Sequence, residues 1–126
     1  MAEPSLRAFL DGEVNASGFR HADHVRIGFE ILQRHDFPDA AAAFARSLKK
    51  IAARAGAPEK YHETITLAFL SLIAERRALG EHADFESFAG ANPDLMGASI
   101  LRRWYAPERL ASDLARKTFI LPDTSR

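Results

Sequence analysis

HADHVRIGFEILQR over residues 21–34 and PDAAAAFARSLKKIAAR over residues 38–54 decide the fold. In the first stretch Val25, Gly28, Ile31 and Leu32 recur at the spacing of one helical face, while Arg26, Glu30, Gln33 and Arg34 take the opposite side. In the second, Ala41, Phe44, Ala45, Leu48, Ile51 and Ala52 form an inward face, and Arg46, Lys49, Lys50 and Arg54 a solvated one. Pro38 stands where a helix begins and Gly56 just past where it ends. A third long helix is expected from Pro58 to near Ala78, with a stripe of Tyr61, His62, Ile65, Phe69, Leu72 and Ile73 and with Thr66 and Leu70 on its flank.

Outward from these helices the signals are shorter. A helical segment is expected from Pro4 to about Leu10, and a loop from Val14 to Gly18. Further helices are expected over Asp84–Ala89, from Pro93 to about Trp104 and from Pro107 to Arg116, before an apolar, extended tail from Thr118. No strand alternation competes. The predicted class is all-α, a compact bundle of three main helices plus shorter C-terminal ones. It forms one domain over residues 1–126, with 1–18 as N-terminal segment and loop and 118–126 as tail. The 126 residues suit a single domain, and 47% hydrophobic with 27% charged residues is the composition of an ordinary globular protein.

Seventeen Lys and Arg balance seventeen Asp and Glu, so the basic surplus that nucleic-acid binding draws on is missing. With no cysteine, disulfides, thiolate metal sites and cysteine nucleophiles are excluded. The longest apolar stretch, about Ile65 to Ala74, is half of the roughly 20 residues a bilayer requires, and the N-terminus carries no leader-like pattern. The expectation is a cytoplasmic protein that binds neither membrane nor nucleic acid, acts on a small molecule and leaves homodimerisation open.

Short connections make consecutive long helices antiparallel, so the first and third run parallel with their N-termini at one end. His21 and His24 lie in the first turn of one and His62 near the start of the other, which places three inward histidines at nearly one level. Two imidazoles three residues apart can reach one ion, and a third from the facing helix completes a three-nitrogen site with an open position. Imidazole suits Zn, Cu or Fe alike, and helix N-termini and burial both keep the rings neutral. The plainer reading makes each histidine a satisfied core residue or a helix cap, with His21 the natural cap of the first helix. His35 and His82 fall at the opposite end and read as surface residues.

Around the three histidines, Tyr61, Glu63 and Tyr105 are candidate acid–base groups. Thr66 is a candidate for lining a pocket, and Arg116 for clamping a substrate carboxylate. Trp104 reads as closing the bundle end. No His-Glu-x-x-His, P-loop, Gly-x-Gly-x-x-Gly or Gly-x-Ser-x-Gly motif occurs.

Phe19-x-His21-x-x-His24, Tyr61-His62-x-Thr64-x-Thr66, Tyr105-x-Pro107-Glu108-x-Leu110, Ala115-Arg116 and Phe119-x-x-Pro122-Asp123 together resemble a small, uncharacterised bacterial all-helical family. The resemblance implies that these positions belong together and implies no activity. The first reading is then a small metal-dependent enzyme with one transition-metal ion on His21, His24 and His62, using metal-activated water or oxygen chemistry. The second is a non-catalytic module that binds a ligand or partner, its histidines forming a structural or pH-sensitive polar group. A third keeps the pocket and uses one histidine as a metal-free base.

Overall fold

A computed structural model describes residues 5–123, and among them every regular element is helical. The elements are α1 (Leu6–Leu10), α2 (His21–Arg34), α3 (Phe37–Arg54), α4 (Glu63–Leu79), α5 (Phe85–Ala91), α6 (Pro107–Leu110) and α7 (Asp113–Lys117), with single turns of tighter helix between several of them. The expected start at Pro4 and the end of the tail at 124–126 lie outside the described residues. No helix among the described residues is long and apolar enough to cross a membrane.

Helix α2 matches its expected bounds, and α3 begins one residue early. There the Asp36 side chain accepts the Asp39 N–H, leaving Pro38 in the first turn where its missing N–H costs nothing. The far end of α3 closes on Gly56, whose φ of +75° belongs to the left-handed region. The Gly56 N–H reaches the Ala53 carbonyl and the Ala57 N–H the Ala52 carbonyl, a Schellman ending.

The third long helix is where expectation and structure part. Pro58–Lys60 forms a separate turn, Tyr61 is extended, and α4 begins only after His62. The C-terminal third is also more broken than predicted. Pro93–Trp104 is two short turns, Pro93–Met96 and Ala98–Arg103, parted by extended Gly97. Pro107–Arg116 is split at Ser112, whose hydroxyl donates to the Arg109 carbonyl and accepts the Ala115 N–H. It thereby ends one helix and caps the next.

Helices α2 and α4 run parallel: Gly28 at the middle of α2 faces Leu70 and Ile73 of α4, and Arg77 late in α4 donates to the carbonyl of Leu32 late in α2. A Cβ at Gly28 would stand 3.0 Å from an Ile73 methyl and 3.3 Å from a Leu70 methyl, so the missing side chain lets the two helices close on each other. The fully buried Val25, Ile27, Phe29, Ile31, Leu70 and Ile73 form the centre of the core. Phe9 of α1 packs on Phe44 of α3 at 5.5 Å, and Phe29 on Phe88 at 4.9 Å. At one edge Arg76 grips Asp94 with two hydrogen bonds and Asn92 with a third. The bonds to Asp94, with Arg103 adding to them against the effect of burial, hold its carboxyl down at about 2.

Gly28→Val should therefore lower the unfolding free energy by about 1–3 kcal/mol, through overpacking of the α2–α4 contact. Gly18→Ala, whose new methyl meets nothing within 4 Å, should stay within about 0.5 kcal/mol. Urea unfolding of both variants at neutral pH checks the pair.

Candidate functional site

The starts of α2 and α4 and the end of α3 surround a cavity of about 720 Å³. His21, His24, Tyr61, His62 and Thr66 all border it. Most of the remaining lining is apolar: Phe19, Leu48, Ile51, Ile65 and Phe69 form its walls, with Ile65 38% exposed at the open side.

Each histidine is engaged differently. His62 is buried and is the N-cap of α4 rather than a residue inside that helix. Its Nδ1 accepts the Ile65 N–H at 3.1 Å, and its Nε2 lies 2.7 Å from the Leu110 carbonyl. A carbonyl only accepts, so the proton is on Nε2 and both ring nitrogens are committed. His21 does not cap α2; the Asp23 carboxylate does, reaching back 2.9 Å to the Arg20 N–H. His21 Nε2 instead donates to the carbonyl of Leu95 at 3.0 Å, and its ring stands edge-on to Phe69. His24 packs against Phe19 with ring centroids 4.4 Å apart, and no hydrogen bond to its ring is made among the described residues. Burial, reinforced by neighbouring His21 and opposed by Asp23, brings the His24 imidazole down from 6.5 to about 4.

These bonds overturn the three-histidine metal site. Among the described residues no group of three His, Cys, Asp or Glu is placed to hold a metal ion. The chemical reason is that a ligand nitrogen needs a free lone pair. His62 spends its lone pair on capping α4 and its proton on Leu110. His21 and His24 alone are two ligands, so the ion expected as cofactor, Zn, Cu or Fe, loses its ligand set and the metal-dependent enzyme loses its basis.

The other expected site residues are divided. Tyr61 donates its hydroxyl to Glu63 at 2.8 Å. Its own ionisation is pushed well up, first by burial and then by that carboxylate, with Thr66 pulling weakly the other way. Glu63 and Arg116 border a neighbouring shallow groove rather than the cavity, and Arg116 donates to the Glu59 carbonyl. Tyr105 lies outside the cavity lining. It is buried, it donates to the Ile120 carbonyl at 2.8 Å, and burial raises its ionisation.

Thr64, quoted in the histidine motif but given no role, is fully buried and ties down the tail. Its hydroxyl donates to the Thr118 carbonyl and accepts the Ile120 N–H. A hydroxyl at a fully buried position of a helix is the signal that could have found it. The end of α3 also went unrecognised as a cavity wall; its small residues Ala52, Ala55 and Ala57 line the space. Neither a family model nor a curated protein nor a solved structure matches this chain.

Two measurements check these assignments. His62→Ala should cost about 2–4 kcal/mol, from the lost cap and the stranded Leu110 carbonyl, and His62→Asn should recover about 1 kcal/mol by restoring the cap alone. The second concerns pH. In the unfolded chain His24 takes up its proton near 6.5, whereas the folded chain resists until about 4. Between those values the unfolded state holds more protons, so stability falls as pH drops through the window and returns as it rises. Urea unfolding between about pH 7 and about pH 4.5 should show a shallower pH dependence in His24→Gln than in the parent.

Proposed function

We propose that this chain is a small-molecule binding module and that its ligand is a largely apolar compound seated in the cavity between α2, α3 and α4. The observation that carries this reading is a cavity of about 720 Å³ walled mainly by apolar side chains, with a few polar groups at one end. That size lies within the roughly 300–1,000 Å³ of ligand sites, and the same mixture of apolar walls and sparse polar anchors is typical of them. Burying an apolar ligand's surface there supplies the affinity, at roughly 25 cal/mol per Å² before the costs of association.

Binding is favoured over acid–base catalysis by the groups themselves. A base works best when its pKa is close to the working pH, and His24 at about 4 is a weak one that serves better as a hydrogen-bonding partner. Tyr61, with its hydroxyl on Glu63 and its ionisation raised, is an equally weak acid.

The test uses N-phenylnaphthylamine, an uncharged apolar fluorophore. Its emission should rise saturably on addition of the protein, with one site per chain. Ala52→Phe places a ring in the cavity from the α3 wall and should abolish the signal while helical circular dichroism is kept. Enhancement that persists in Ala52→Phe, or none in the parent, would contradict the reading.

A further inference from the structure

If the cavity is a ligand site, the hydrogen-bonding capacity left open around it narrows the chemistry of what it takes. His62 has nothing to offer, because both ring nitrogens are spent. Tyr61 has given its proton to Glu63, and its oxygen is the acceptor for the neighbouring Thr66 hydroxyl on the same lining. His21 has given its Nε2 proton to the Leu95 carbonyl, so in the neutral ring its Nδ1 is a bare acceptor. His24, one helical turn further on, has no hydrogen-bond partner among the described residues and in its neutral form carries one N–H and one lone pair. The capacity of this histidine pair is thus two acceptors and one donor. The one lysine on the lining, Lys60, is exposed, so its charge is screened by water.

A hydrocarbon would strip water from these nitrogens and return nothing. An ether can accept but cannot donate. A carboxylate would set its charge against two lone pairs with a single N–H to receive it. A hydroxyl both donates and accepts, and matches the pair. We propose that the cavity selects apolar molecules bearing a neutral hydroxyl, a phenol or an aliphatic alcohol, over the corresponding carboxylate, ether or hydrocarbon, with His24 as the residue that reads the hydroxyl. This inference rests on the ligand-binding reading above.

Four compounds of one shape separate the possibilities: β-naphthol, its methyl ether, naphthalene and β-naphthoate, each competing for bound N-phenylnaphthylamine. The naphthol should compete about tenfold better than each of the other three, the factor that one well-made buried hydrogen bond supplies. His24→Phe should reduce that preference below about threefold while naphthalene binding is kept, and His24→Gln, which retains a donor and an acceptor, should preserve it. Should His24→Phe fail to fold, the parent series and His24→Gln still decide. Naphthalene or the ether matching the naphthol, the naphthoate exceeding it, or a preference that survives in His24→Phe would overturn the selectivity and leave the cavity a ligand site. Failure of all four to displace a bound probe would overturn the selectivity and leave the cavity a site for the probe, whereas a probe that never binds would remove the ligand site and the selectivity together.

Discussion

The two hydrogen bonds of His62 are the constraint on which the rest of the molecule depends. Helix α4 must begin where it does because the imidazole accepts the Ile65 N–H, and the C-terminal segment must pass where it does because the same ring donates to the Leu110 carbonyl. Leaving either group unpaired in the interior would cost about 1–3 kcal/mol, a large share of a small domain's stability. Thr64, two residues on, repeats the device on Thr118 and Ile120. One turn of chain thus fastens the tail to the bundle, where a longer C-terminal helix would have relied on its own apolar face. His21 plays the same part for the Leu95 carbonyl.

The cavity follows from this arrangement. Helices α2 and α4 meet at Gly28 and are joined at their far ends by Arg77 and the Leu32 carbonyl. Toward their starts the lining turns to polar groups, of which His21 and His62 are engaged with backbone carbonyls, and the end of α3 offers alanine where a larger residue would fill the gap. Arg109 and Asp123 finish the frame: the arginine pairs with the aspartate and donates to the Leu121 carbonyl, and Asp123 bonds back to the backbone of Trp104 and Ala106. Among the described residues, His24 is the histidine around the cavity whose ring makes no hydrogen bond, which is why it is the polar anchor proposed for a ligand.

The long helices were legible because their signals are local. Val25 to Leu32 repeats at a helical period, and Gly56 accepts a positive φ that other residues resist. The single cluster expected of His21, His24 and His62 is not formed, and only their approach to one cavity was legible. What the histidines bond to was not. Leu95 and Leu110 lie 74 and 48 residues from the rings they satisfy, and their carbonyls have no signature in sequence. Reading His62 as a residue within a helix freed its nitrogens for a metal; placing it one residue before that helix, as its cap, uses them up. The breaks at Gly97 and Ser112 were missed for a related reason, since a proline that starts a helix says nothing of where a serine hydroxyl will end it.

The most direct measurement is the ring-nitrogen NMR spectrum of the five histidines, assigned through the alanine variants, at about pH 6 where free imidazole is largely protonated. The account predicts an uncharged ring for His24 at that pH and, in a second spectrum at about pH 9, a proton on Nε2 and an acceptor Nδ1 for His62. A His24 ring already charged at about pH 6, or the His62 proton on Nδ1 in the alkaline spectrum, would contradict it.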